Sequence, residues 1–143
     1  MNKKFTYEVR LKWKEGRKGM LSVPGKPEVE VATPPEFKGP SGVWSPEELF
    51  VGSINSCLMT TFLYYAEKKG LSFKSYESRA RGILEKKGGY FMLSAVEVVP
   101  TVRVGSEEEA GKAKRIFELC EKDCFISNSA KSEIIIKPEI ETG

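Results

Sequence analysis

Residues 44–70 read "WSPEELFVGSINSCLMTTFLYYAEKKG", and the helix they encode sets the frame for the rest of the chain. The stretch opens with a complete helix start. Ser45 is a good N-cap, Pro46 suits the first helical position, and Glu48 falls where a capping box needs its acid. Trp44 and Leu49 occupy the two positions of a hydrophobic staple. The helix is expected to run to about Lys69 and to stop at Gly70, where a left-handed cap costs least. Val51, Ile54, Leu58, Phe62 and Tyr65 fall in one stripe at helical spacing, and Met59, Leu63 and Ala66 widen it. A stripe this broad marks a helix central to its fold. Capping accounts for Glu48 and leaves Glu47 without a structural role.

Upstream, "KFTYEVRLKW" alternates, with Phe5, Tyr7, Val9, Leu11 and Trp13 on one side. That is the pattern of a strand with one buried face. "EGRKG" turns the chain into a hairpin partner at "MLSV", and "EVEVA" supplies a third short strand. "TPPEFKGPSG" is a loop too rich in proline and glycine to be regular. Downstream, "SFKSYESRARGILE" and "YFMLSAVEVVPTVRV" read as two long strands joined by a hairpin turn at "KKGG". A second helix opens at Ser106, with Glu109 in the capping-box position. Its apolar stripe is Ala110, Ala113, Phe117, Cys120 and Cys124. "SNSA" breaks it, and "SEIIIKPEI" closes the chain as a strand. The order β-β-β-α-β-β-α-β predicts an α+β fold, with two central helices on antiparallel sheet, as one domain over residues 1–143.

The 143 residues are enough to bury a core without disulfide staples. A net charge of +3, spread along the chain, gives no nucleic-acid footprint. No run reads as a membrane span and "MNKKFTYEV" lacks the apolar stretch of a signal peptide, so a cytoplasmic location is expected. Plentiful Lys and Glu with no Gln points to a thermophilic source. The sharpest absence is histidine. It removes Ser–His and Cys–His nucleophile pairs and the commonest metal ligand, so an activated thiol must rely on a cation, a hydrogen bond or a helix terminus.

The three cysteines are expected to be reduced, as core residues, metal ligands or redox thiols. Cys57 lies off the main stripe, on a line with Ser53, Thr60 and Tyr64. Geometry leaves two readings open: a packed cysteine beside small residues, or a thiol facing a narrow polar cleft. Cys120, within the second helix's stripe, reads as core. Cys124, at the end of that stripe, is a candidate for exposure at a helix terminus. A three-thiol zinc site is poorly supported, since no Cys-x-x-Cys pair exists and a fourth ligand would have to be carboxylate or water.

Taken in order, "GR-G", "P-EF-GP-G-WSPEELF", the small-residue run ending at Cys57, and "C-ISNS" resemble the OsmC/Ohr family, the osmotically inducible and organic-hydroperoxide-resistance thiol peroxidases. The resemblance spans residues from about 16 to 129 and is nearer the broad OsmC-like branch than the organic-hydroperoxide branch proper. It implies an intertwined α+β homodimer that reduces hydroperoxides, organic ones above all, without metal, haem or other cofactor. By position it assigns Cys57 as the peroxidatic cysteine and Cys124 as the resolving one. Arg17 then holds the reactive thiolate and Glu47 positions that arginine. The implied reaction ends in a Cys57–Cys124 disulfide that an external dithiol, lipoyl-type or thioredoxin-like, reduces in oxidative-stress defence. Phe37, Trp44 and Phe125 are candidate walls for a bulky peroxide. Ten residues of helix, about 15 Å, separate Glu47 from Cys57, so Arg17 and Glu47 are expected to serve the partner chain's cysteine. Two rival readings remain: an OsmC-like scaffold that binds an apolar small molecule without catalysis, and a hot-dog-type thioesterase.

Overall fold

Ser45 and Glu48 close the expected capping box. Glu48 N–H donates to Ser45 Oγ at 3.1 Å, and Ser45 N–H donates back to Glu48 Oε1 at 3.0 Å. In the computed structural model, which describes residues 3–143, this start opens α1 (Pro46–Lys68). The helix ends at Gly70, whose φ of 68° lets Leu71 N–H reach back to the Ala66 carbonyl at 2.8 Å. The chain divides into two compact units, Met1–Leu49 and Phe50–Gly143, with the boundary inside α1.

The first unit is an antiparallel meander of β1 (Arg10–Glu15), β2 (Lys18–Ser22) and β3 (Val29–Ala32). Gly16 and Arg17 form the turn between β1 and β2, with Gly16 at φ 53°. Trp13 Nε1 donates to the Gly16 carbonyl at 3.0 Å and steadies that turn. The expected buried face of the first strand is not buried. Phe5, Tyr7, Val9, Leu11 and Trp13 are all exposed, from 58% for Val9 to 88% for Tyr7, and pairing begins only at Arg10. The alternation is real, but the meander puts nothing over it. The loop expected to be irregular holds one turn of 3-10 helix at Pro35–Phe37. Gly39 follows it because a Cβ there would sit 1.5 Å from the Thr33 carbonyl oxygen. Ala32 N–H donates to the Trp44 carbonyl at 2.8 Å, tying the loop back to β3, while the indole stays exposed.

In the second unit, β4 (Ser75–Lys87) and β5 (Tyr90–Val104) form the long hairpin, turning through Gly88 and Gly89 at φ 63° and 90°. Ser94, Val96, Val98, Pro100, Val102 and Val104 make one fully or nearly buried face of β5. Against it pack α1 and α2 (Glu107–Asp123), which Ser106 caps by accepting from Glu109 N–H at 3.2 Å. The buried row of α1 is Ile54, Leu58, Phe62 and Ala66. Phe62 stacks on Phe117 at 4.7 Å and meets Phe73 edge-on at 5.5 Å. With 23 residues, α1 is by length and composition long and apolar enough to cross a membrane, contrary to the sequence expectation. Here the apolarity of that buried row goes into the core instead.

Two further expectations need correction. The chain is not simply broken at "SNSA" after the second helix, since Phe125–Ser129 forms a short helix, α3. The closing segment is two strands, β6 (Glu133–Ile136) and β7 (Glu139–Thr142), and both pair with β5 in parallel. The α2 crossover carries the chain back toward the end of the sheet where β5 began, and a strand that starts from there runs parallel to β5. Pro138 divides the segment, and Pro100 lies on β5 between the stretch paired with β6 and the stretch paired with β7.

Candidate active site

Cys57 is half-buried on α1, next to Leu58 of the core row. It opens onto a cavity of about 440 Å³ lined by Cys57, Thr60, Thr61, Tyr64 and Tyr65 from α1, together with Asp123 and Phe125. The wall is mostly apolar, unlike the narrow polar cleft of the second reading of Cys57. Those hydroxyls are satisfied by their own helix. Thr60 Oγ1 and Thr61 Oγ1 both donate to the Cys57 carbonyl, at 3.0 and 2.8 Å, and Ser53 and Ser56 donate to the carbonyls of Phe50 and Gly52.

Cys124 caps the end of α2 and begins α3, with its backbone extended at ψ 109°. Its N–H donates to the Cys120 carbonyl at 3.1 Å. The candidate exposure at a helix terminus does not occur: Cys124 is fully buried. Burial pushes its thiol above the usual range, the neighbouring Cys57 thiol adds to that, and the Ser127 hydroxyl opposes it by donating to Sγ at 3.2 Å. The residues on either side of Cys124, Asp123 and Phe125, line the cavity onto which Cys57 opens, so the two thiols share one neighbourhood. Cys120 lies in the core as its stripe required. Burial, then the proximity of Cys124, Asp123 and Cys57, pushes its thiol up to about 12. Among the described residues no three His, Cys, Asp or Glu side chains gather as a metal site needs.

Four candidates belong to the first unit. Arg17 is exposed in the β1–β2 turn. Glu47 lies in the first turn of α1, its Oε1 shielded from solvent and without a hydrogen-bond partner. Phe37 and Trp44 are exposed at 47% and 55%. Phe125, in the second unit, is 80% exposed and borders the cavity.

Sequence reasoning passed over two residues of the cavity wall. The Tyr65 hydroxyl donates to Asp123 Oδ2. That bond is the main reason its phenol is pushed up to about 12, so Tyr65 remains a donor at any physiological pH. Asp123 is the only aspartate in the chain and directly precedes Cys124, a signal that was visible.

Residues 39–139 match the family described as OsmC-like protein. The chain belongs to the OsmC family. A relative in Bacillus subtilis, the uncharacterized protein YmaD, is 22% identical over 112 residues, 76% of this chain and 75% of its own length. Among solved structures, an OsmC-like protein of unknown function from Vibrio cholerae superposes with a TM-score of 0.87 at 24% identity, covering 94% of this chain and 99% of that one. An organic hydroperoxide resistance protein from Elizabethkingia anophelis gives 0.74 at 22% identity, covering 99% of this chain and 100% of that one. These likenesses establish the fold, an OsmC-like α+β arrangement with two main helices packed on sheet, and leave the hot-dog reading without support.

Proposed function

We propose that this OsmC-family chain is a cysteine-based peroxidase for organic hydroperoxides, with Cys57 as the attacking thiol and Cys124 as the resolving one. The observation that carries this reading is a half-buried thiol on a mostly apolar cavity, with a second, buried thiol beside it. The apolar wall suits the hydrocarbon part of an organic peroxide. In the first step the Cys57 thiolate attacks the distal peroxide oxygen. The S–O bond forms, the O–O bond breaks, and the departing alkoxide takes a proton to leave as alcohol. Cys124 then attacks the sulfenic acid on Cys57, expelling water and closing the disulfide, which an external dithiol reduces. A cytoplasmic setting would keep that dithiol supplied.

Arg17 is the activating cation in this proposal. A guanidinium is charged at every relevant pH, stabilises a thiolate and stabilises the charge that develops as the O–O bond breaks. With no histidine in the chain, the choice of activator is narrow. Glu47 would orient Arg17. A shielded carboxylate oxygen without a partner is costly, and a guanidinium from a neighbouring group would satisfy it. Glu47 and Cys57 stand ten positions apart on α1, about 15 Å along its axis, which favours Arg17 and Glu47 acting on the cysteine of a second subunit in a homodimer.

The test is consumption of cumene hydroperoxide with a dithiol donor. Wild type is expected to turn over, Cys57→Ser to lose activity, and Cys124→Ser to stop after one oxidation. Mixing Arg17→Ala with Cys57→Ser subunits should restore activity if the arginine acts across the interface, because each mixed dimer then holds one intact site. Full activity in Cys57→Ser, or none in wild type with any peroxide, would leave the non-catalytic binding reading in its place.

A further inference from the structure

The resolving thiol sits in a knuckle. Lys122 and Asp123 end α2, Cys124 turns the chain, and Phe125–Ser129 restarts it as α3. Inside this knuckle Asn128 N–H donates to the Cys124 carbonyl at 3.0 Å, and Asn128 Nδ2 donates to the Lys122 carbonyl at 2.9 Å. Among the described hydrogen bonds, one between side chains joins the knuckle to the helix that carries Cys57: Tyr65 to Asp123. Tyr65 lies two turns beyond Cys57 on α1, packs against the core and meets the Tyr64 ring edge-on at 5.1 Å. Both partners line the same cavity as Cys57.

From this geometry we infer that Asp123, held by Tyr65, is a positioning residue for the resolving step: it fixes the knuckle against α1 so that Cys124 meets the oxidised Cys57. The inference rests on the peroxidase reading for the step it serves. In that step the Cys124 sulfur attacks the Cys57 sulfur, the S–O bond of the sulfenic acid breaks, and hydroxide leaves with the Cys124 proton as water. The oxidising equivalents are those already delivered by the hydroperoxide. A sulfenic acid that waits too long meets a second peroxide and becomes a sulfinic acid, so the placement of Cys124 decides between turnover and inactivation.

Two measurements test this on the purified protein. The first is the redox equilibrium of the Cys57–Cys124 pair against glutathione, which reads the proximity of the two sulfurs without any peroxide. Tyr65→Phe and Asp123→Asn are each expected to make the disulfide about tenfold easier to reduce, the scale of one hydrogen bond to a charged group. The second is the partition of Cys57 between disulfide and sulfinic acid at a fixed excess of cumene hydroperoxide, read by mass spectrometry. Both variants should shift it about tenfold toward sulfinic acid. Asp123→Glu, which keeps the charge, should recover both readouts in part. Wild-type equilibrium and partition in both Tyr65→Phe and Asp123→Asn would overturn the inference. A wild type that consumes no peroxide sinks the peroxidase reading instead, while the glutathione equilibrium still reports on the latch.

Discussion

Cys57 borders a cavity while Cys120 and Cys124 are sealed from solvent, and this separates one accessible thiol from two hidden ones. Cys120 also carries a stability consequence. Its thiol is raised from 9.0 to about 12, burial being the largest cause. Below pH 9 both the folded and unfolded chains hold this proton, and the group has no effect on the pH dependence. Between pH 9 and about 12 the unfolded chain releases the proton and the folded chain keeps it, so stability falls as pH rises through that window. The slope from one such group is at most about 1.4 kcal/mol per pH unit. Thermal unfolding of wild type and Cys120→Ala between pH 8 and 10.5 should show it. Cys120→Ala is expected to be less stable at pH 8 because of the cavity, but to lose less stability on going to pH 10.5. Parallel curves for the two proteins would show that the thiol does not titrate as its burial implies.

At the scale of elements, the meeting of α1 with the β4–β5 hairpin depends on one missing side chain. A Cβ on Gly82 of β4 would lie 2.6 Å from Val51 Cγ2 and 3.1 Å from Leu93 Cδ2. Gly82→Ala should therefore cost about 1–3 kcal/mol, and the double variant with Val51→Ala should recover part of it. A denaturant series on the four proteins gives the coupling, and strictly additive losses would show that the helix does not press there. The sequence announces such elements well when the signal is local. Ser45, Glu48 and Gly70 mark both ends of α1, and Gly88–Gly89 marks the long hairpin. It fails where the deciding partner is distant. The apolar run Ile134–Ile136 looks the same for parallel and antiparallel pairing, and only the α2 crossover decides. The same holds at the site. Cys57 and Cys124 were legible as motif positions, but the apolar cavity was not, because the side-chain hydroxyls of Thr60 and Thr61 turn back to the Cys57 carbonyl. Tyr65 and Asp123 are 58 residues apart, and nothing in either neighbourhood announces the other.

For the molecule as a whole, the alternating side chains of residues 5–13 are the unanswered part of the sequence. Phe5, Tyr7, Val9, Leu11 and Trp13 have the spacing of a buried face and stand exposed in the single chain. Fully burying one such side chain is worth about 1.5–3 kcal/mol, so five together far exceed what a solvated strand would retain without reason. The proposed homodimer accounts for them and places the Arg17 turn, which directly follows β1, at the same interface. Replacing Trp13 by glutamate puts a charge into that interface and should weaken association at least tenfold. Sedimentation equilibrium across a concentration series is expected to show a dimer for wild type and a shift toward monomer for Trp13→Glu. Peroxidase activity per chain should fall in step with the dimer fraction and return as the variant is concentrated. A wild type that is monomeric at every concentration and still consumes peroxide would remove the need for a second subunit, and the arginine would then have to reach Cys57 within one chain.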